Sequence, residues 1–523
     1  MNHQMLMAFF AATQVLFAFA FGSCVGSLIN VLVYRMPLGL SVVSPPSRCP
    51  KCDHLLSWRE NIPVFGWLML RGKCRFCRNP ISPEYPIVEA IVGLVFVGFY
   101  VLWFLVPDRN ADWLGFDWSV SKPEWAMNGF ARTWPVFVAL LMMVSALIAM
   151  TIIDARTFTI PLALAWTPTL VGFLAHPVWA AWVQIRGKPW RHVAEGDWWA
   201  IATPGANGWP ILCASLGAMA GLLISNLLLG LGLLRRSFAD YDEWEAKALT
   251  EAGIDPDAQA KPDAPAPPGS ATATVGRART VGVVLACAAG CAVAGAWAMS
   301  RLGLSGVVGA LAGVLAGVPL AGVILRAIAG TPQAPANPDE GSPAEMWIQY
   351  PHARREVSKE LLFLAPCLAL AVVGWVVGQR LGQPWGQHPV TFALVASKPI
   401  PLWLSVLGGV CMGYLAGGGI VWAIRIFGTL GFGKEAMGLG DVHLLAAVGA
   451  CVGWIDAVLA FFVAPFIALY IVLVQTCWTG NGRRAMPYGP YLAVATLVVV
   501  LGKAAFEAGL GRMFGAPGAL NFP

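Results

Sequence analysis

Long apolar runs alternate with short polar ones along the whole chain. Runs of roughly 20 apolar residues are long enough to cross a membrane as a helix. They fall near 8–34, 86–106, 134–153, 160–183, 210–234, 280–299, 303–325, 361–378, 402–427, 442–455, 457–476 and 489–509. This pattern predicts about twelve spanning helices. Gly or Pro interrupts several of them, which membrane helices tolerate where neighbours satisfy the backbone. No heptads are present, and the runs are too long and uniform for the alternating strands of a barrel. The predicted class is an all-α polytopic membrane protein.

Three polar stretches break the pattern. Residues 35–89 are basic and Cys-rich. Residues 236–279 open with Asp240, Asp242, Glu243 and Glu245 and run into KPDAPAPPGS. Residues 330–360 open with TPQAPANPDEGSP and end near Arg354 and Arg355. The two Pro/Ala-rich pieces read as flexible linkers. The chain thus divides into a first span (1–35), a Cys-rich module (36–85), a membrane part (86–185), a middle region with extra spans and both linkers (186–401), and a C-terminal membrane part (402–523).

Composition agrees. Of 523 residues, 57% are hydrophobic and 12% charged, about half the charged share of a soluble chain. Such a surface cannot face water throughout, and the chain is too apolar to be disordered. The net charge of +6 does not suggest a nucleic-acid partner. The 23 Trp suit interfacial anchoring. The first apolar run lacks a basic leader and a small-residue cleavage site, so it reads as a retained helix.

Lys and Arg beside the spans set the orientation. Residues 35–89 carry Arg35, Arg48, Lys51, Arg59, Arg71, Lys73, Arg75 and Arg78, and should be cytoplasmic. Threading from there puts Arg235/Arg236, Arg326, Arg354/Arg355, Arg425, Lys434 and Arg483/Arg484 on the same side. The loops at 107–133, 184–209 and 379–401 fall outside. Asp154 then lies at the cytoplasmic end of the third span, and Asp441 at the cytoplasmic start of the tenth.

These two aspartates are the candidate chemistry. Asp154 sits in MTIIDARTFTIP, and Asp441 in MGLGDVHLLAA. Ionisable residues at spanning-helix level are costly and point to function. Gly438 and Gly440 remove side chains beside Asp441 and admit a close backbone. Two carboxylates brought together share a proton, so one serves as base toward water and the other as acid. That is aspartic-protease chemistry. The structural alternative is two helix-end carboxylates facing water, or paired with Arg156 and Lys434.

Cys49-Pro-Lys-Cys52 and Cys74-Arg-Phe-Cys77 form paired CxxC knuckles with 21 residues between them. The spacing suits a tetrahedral zinc site. A thiol-redox role and a purely packing role are the alternatives. A structural four-cysteine site would fold the loop without taking part in chemistry.

The motifs together resemble the type IV prepilin peptidases, bifunctional leader peptidases and N-methyltransferases of pilus and type II secretion systems. FGSCVGSLINVLVYRMP at 21–37 carries the likeness, with the paired CxxC, NIPVFGWLMLRGKCRFC at 61–77 and ISPEYPIVEA at 81–90. So do IIDARTFTIP at 152–161, GLGDVHLLAAVGA at 438–450 and MPYGPYLA at 486–493. The resemblance implies an inner-membrane aspartic protease of GxGD type. It implies cleavage of the basic leader of prepilins or pseudopilins after Gly at the cytoplasmic face. It also implies methylation of the new N-terminus from S-adenosylmethionine. By position Asp154 and Asp441 are the catalytic pair, and Cys49, Cys52, Cys74 and Cys77 the family's cytoplasmic cysteines. Partners would be prepilins, membrane lipid and the pilus or secretion machinery.

The chain departs from that pattern. The two aspartates are 287 residues apart, and the region 186–401 looks inserted. His443 stands where the family usually has Lys. No Gly-rich fingerprint for S-adenosylmethionine is readable, so methylation rests on resemblance. Arg35, Asn30 and Glu89 either line a polar pocket or pair at the interface. Two other readings remain open. One is a transporter using Asp154 and Asp441 as ion sites, and the other a pilin-binding scaffold without catalysis.

Overall fold

A computed structural model describes residues 3–49, 51–108, 111–113, 116–186, 199–251, 277–301, 306–329, 350–383, 385–387, 394–396, 398–479 and 487–515. Both Pro/Ala-rich linkers, Arg483, Arg484 and Met486 lie outside them. The helices are α1 (His3–Arg35), α2 (Phe65–Met69), α3 (Glu84–Tyr100), α4 (Phe130–Thr157), α5 (Leu162–Arg186), α6 (Trp209–Gly230), α7 (Tyr241–Glu251) and α8 (Arg277–Arg301). They continue as α9 (Gly306–Ala329), α10 (Ala353–Leu381), α11 (Leu402–Phe432), α12 (Leu439–Val452), α13 (Trp454–Thr479), α14 (Gly489–Leu501) and α15 (Lys503–Met513). A π-helical turn extends α3 to Leu105. Two short antiparallel ribbons, Asp112–Asp117 and Trp385–Ala396, decorate the loops.

Among the described residues each of the twelve apolar runs carries helix, but not all are spans. Among the described residues, ten helices are long and apolar enough to cross a membrane. The last run bends by 86° between α14 and α15, and counts as an eleventh span only if taken as one. The tenth run is the correction that matters. Helix α12 has 14 residues, so it rises about 21 Å, short of a hydrocarbon core of roughly 30 Å. At its far end Gly453 turns the chain straight into α13. This helix is therefore too short to cross the apolar layer alone.

Helix α12 is wrapped by α4, α5, α11, α13 and α14. From Val442 to Val452 all but one residue, His443, is buried. Its closest neighbour is α11. A Cβ on Gly413 would overlap the Gly449 carbonyl, and a Cβ on Gly449 would overlap that of Gly413. Small residues on facing helices let backbones touch, which is how helices associate where lipid removes the hydrophobic drive. The far end is pinned by His176 of α5. The Trp199 indole donates to its Nδ1 at 3.2 Å. Nδ1 is thus an acceptor, so Nε2 carries the proton and donates to the Cys451 carbonyl at 2.9 Å.

The middle region adds four long apolar helices as two nested pairs. Helices α8 and α9 pack on each other, and α9 lies on α13. Helices α6 and α10 pack on each other and on α11. The Tyr350 amide donates to the Gly433 carbonyl at 2.7 Å, so the start of α10 meets the end of α11.

Substituting Val for Gly449 should destabilise the fold by about 1–3 kcal/mol through overpacking, read as a lower melting temperature in detergent. Gly419→Ala on the facing helix α11, where a Cβ meets nothing, should leave the melt unchanged. Equal melts for both variants would remove the α11–α12 contact as a determinant.

Candidate active site

Asp154 lies in the last turn of α4, and Asp441 in the first turn of α12. They are 5% and 9% exposed, so neither is a solvated helix end. The carboxylates are near enough to interact electrostatically. Among the described residues no Lys or Arg forms an ion pair with either. Arg156, the expected partner of Asp154, pairs with Glu84 at the start of α3 instead. The fold thus joins the two aspartates and rejects the pairing alternative for Asp154.

The local chain explains how they meet. Helix α4 ends because Phe158 turns left-handed, at φ 52°, and its amide caps the Asp154 carbonyl at 2.9 Å. A non-glycine residue there is strained, a feature that concentrates at functional sites. The turn throws Ile160 back across the pair. Its side chain lies against Gly440 on one side and Gly489 on the other. Gly440, singled out from the sequence, therefore makes room for Ile160. A Cβ on Gly438 would lie 3.9 Å from Asp441 Oδ2, so that position borders the carboxylate.

Gly489 was not distinguished by the sequence beyond its place in MPYGPYLA. It opens α14, and its amide hydrogen-bonds the Asp154 carboxylate. A Cβ there would sit 2.5 Å from Asp154 Oδ2, so no side chain fits. Tyr488, just before it, is within electrostatic reach of Asp441. His443 faces elsewhere, bordering Ala165, Trp166, Thr169 and Tyr414 of α5 and α11. Two residues after Asp441 on a helix, it emerges on the opposite side.

The four cysteines also converge, with their sulfurs all within 4.8 Å of one another. Sγ of Cys49 is 3.8 Å from that of Cys77, and Sγ of Cys52 is 4.0 Å from that of Cys74. The two knuckles repeat one geometry. Asp53 donates its amide to the Cys49 carbonyl at 2.9 Å, and Arg78 to that of Cys74 at 3.0 Å. The Cys49 amide donates to the His54 carbonyl at 3.0 Å, and the Cys74 amide to that of Asn79 at 2.9 Å. Asp53 and Arg78 both turn left-handed. Backbone amides of Lys51 and Cys52 hold the Cys49 thiol down at about 7. The Cys52 thiol accepts from the His54 backbone, yet desolvation and the neighbouring sulfurs push it up to about 11. These four side chains can hold a metal.

Asn30, Arg35 and Glu89 bond to the backbone of this region. Arg35 donates to the carbonyls of Ser41, Val42 and Pro45. Asn30 donates to the Tyr85 carbonyl at 3.1 Å. Glu89 accepts the Val64 amide at 2.7 Å, where Val64 takes a positive φ.

Two family models match the sequence. One is the bacterial peptidase A24 N-terminal domain, over residues 20–103. The other is the type IV leader peptidase family, over residues 355–473, a stretch that starts within the region 186–401 and contains Asp441. A prepilin leader peptidase/N-methyltransferase of Myxococcus xanthus is 50% identical over 96 residues, 18% of this chain and 29% of that protein. One of Klebsiella pneumoniae is 42% identical over 87 residues, 16% of this chain and 38% of that protein. A longer match, to a protein of the same name from Stutzerimonas stutzeri, is 28% identical over 266 residues, 41% of this chain and 81% of that protein. The chain therefore spans less than two-fifths of the first two relatives and most of the third. No solved structure matches. The polytopic helical fold, the four-cysteine module and these matches agree in making the chain similar to the type IV leader peptidases over residues 20–103 and 355–473.

Proposed function

We propose that the chain is an inner-membrane aspartic endopeptidase. It removes the leader of type IV prepilins or pseudopilins after Gly at the cytoplasmic face, then N-methylates the new N-terminal residue. The observation that carries this reading is the burial of Asp154 and Asp441 within electrostatic reach, with no ion-paired Lys or Arg among the described residues. The relatives' printed names supply the substrate class and the second activity.

The chemistry follows from the pair. Two buried carboxylates cannot both ionise readily and hold one proton between them. With the Gly489 backbone against its carboxylate, Asp154 is assigned as the base and Asp441 as the acid that keeps the proton. Asp154 takes a proton from water, and the hydroxide attacks the scissile carbonyl as Asp441 protonates its oxygen. Collapse of the tetrahedral intermediate breaks the C–N bond. The amine leaves with the proton from Asp154, and Asp441 recovers its own.

The set of four cysteines suits Zn2+. Zn–S bonds of about 2.3 Å put tetrahedral sulfurs roughly 3.8 Å apart, close to the 3.8 and 4.0 Å separations. Cys49, Cys52, Cys74 and Cys77 would saturate the ion, which would fold the module and leave hydrolysis to the aspartates. S-adenosylmethionine is the proposed methyl donor, on the relatives' names and with no residues assigned to it. The cytoplasmic placement follows from the basic residues around the module.

Asp154→Asn and Asp441→Asn should each lower leader cleavage by about 10³-fold or more while the protein still inserts. Wild-type cleavage by either would exclude that residue from the mechanism. Gly489→Ala should cost at least ~10-fold in kcat, since it displaces the Asp154 carboxylate. Co-expression with a prepilin, followed by mass analysis of the mature N-terminus, should show a cut after Gly and one added methyl. An unmethylated product would leave a peptidase alone.

Elemental analysis of the purified protein should find about one zinc per chain. The Cys49→Ser/Cys74→Ser variant should lose it. Full zinc retention by that variant would place the metal elsewhere.

A further inference from the structure

Arg425 is a charged residue in the interior of α11, 1% exposed. A buried guanidinium persists only if its charge and donors are met. Its Nε donates to Glu360 Oε1 of α10 at 2.6 Å. Its Nη1 donates to the Glu435 carboxylate and to the Met437 carbonyl. The Phe238 ring lies 4.8 Å from Cζ, at cation–π distance. Glu360 is held in turn by the Trp422 indole at 3.2 Å and the Ser237 hydroxyl at 3.1 Å.

Two of these partners belong to one loop. Glu435 and Met437 lie between the left-handed cap of α11 at Gly433 and the start of α12. Gly438, Leu439, Gly440 and Asp441 follow Met437 directly. Further bonds hold the same loop, from the Ala436 amide to Thr429 Oγ1 at 3.4 Å and from the Tyr350 amide to the Gly433 carbonyl at 2.7 Å. The Met437 carbonyl is the last backbone acceptor before the Gly-Leu-Gly-Asp turn, and its donor is Arg425.

We infer that Arg425 is a positioning residue for Asp441. It fixes the height and rotation of the α12 start through the Met437 carbonyl and Glu435. Glu360 joins α10 to the same unit. The region ahead of α11 thereby helps set the catalytic geometry without touching substrate. Arginine suits the task because its planar fork meets acceptors on two elements at once, whereas a lysine ammonium is a single point on a flexible stem. The inference rests on the reading of Asp441 as catalytic.

The test uses the full chain in detergent or liposomes, with wild type, Arg425→Lys, Glu356→Gln and Asp441→Asn. Glu356 sits in the same buried cluster, bonded to the Phe238 amide and Lys359, and makes no bond to the 434–438 loop. Two readouts are taken, kcat and KM for leader cleavage and amide exchange of residues 434–441. Arg425→Lys should lower kcat ~10- to 100-fold with KM within about twofold, and lose exchange protection in 434–441 while the helices stay protected. Glu356→Gln should keep wild-type kcat and protection even if its melting temperature falls. Asp441→Asn should lose cleavage with the loop still protected. Wild-type kcat with a protected loop in Arg425→Lys would overturn the inference, as would an equal kcat loss in Glu356→Gln. If the wild type cleaves no leader, the peptidase reading fails, and exchange alone decides whether Arg425 orders the loop.

Discussion

Two buried carboxylates within electrostatic reach of each other, with no ion-paired Lys or Arg among the described residues, are a costly arrangement. Removing such groups from water is unfavourable unless hydrogen bonds and local dipoles compensate. The compensation comes from backbone. The Gly489 amide serves Asp154, and Asp441 stands in the first turn of α12, where unpaired amides and the helix dipole favour negative charge. Backbone donors cannot be supplied without close approach. That requirement explains why glycine flanks both aspartates, and why Ile160 wedges between two of those glycines.

The same requirement shapes the surrounding helices. Helix α12 brings its amide-rich end toward Asp154, and with 14 residues it is short. A short helix has little lipid contact to orient it, and its position is set by its neighbours. The Gly413–Gly449 contact fixes its distance from α11, and His176 fixes its far end. The loop ahead of it carries a polar backbone into the interior and needs partners there. A guanidinium already satisfied by Glu360 on one side is well suited to supply them on the other.

The helical pattern was legible because it follows from hydropathy alone. Among the described residues all twelve runs carry helix, and the Cys knuckles close as their spacing implied. The two aspartates were legible as rare acids at span ends. What escaped the sequence depended on depth and direction. The run 442–455 reads as a span, but its helix stops at Val452, because Gly453 turns where an apolar count sees continuity. Arg425 reads as one more basic residue marking the cytoplasmic side. Its burial follows from Glu360, Glu435 and Met437, which are distant or ordinary in the one-dimensional pattern. Gly489 lay inside a recognised motif, but its need for a missing side chain is visible only beside Asp154. Asn30, Arg35 and Glu89 invited a pocket, and their bonds instead go to backbone.

The nested pairs show how so long a chain can pass between two aspartates that lie within electrostatic reach of each other. Helices α8 and α9 satisfy each other and meet the rest through α13, and the apolar window of α8 has no buried residue. Lipid is as good an environment for such a face as protein, so the pair adds no strain at the site. Helices α6 and α10 differ, because they close back on α11 and bring Glu360 to Arg425. Their return is the step that restores the geometry, since it delivers the chain to α11 beside the point where α5 left it. The outer pair thus stands apart from the aspartates, while the inner pair packs on α11, the helix that leads to Asp441. The peptidase family match is consistent with that division, for it begins at residue 355, within the first turn of α10.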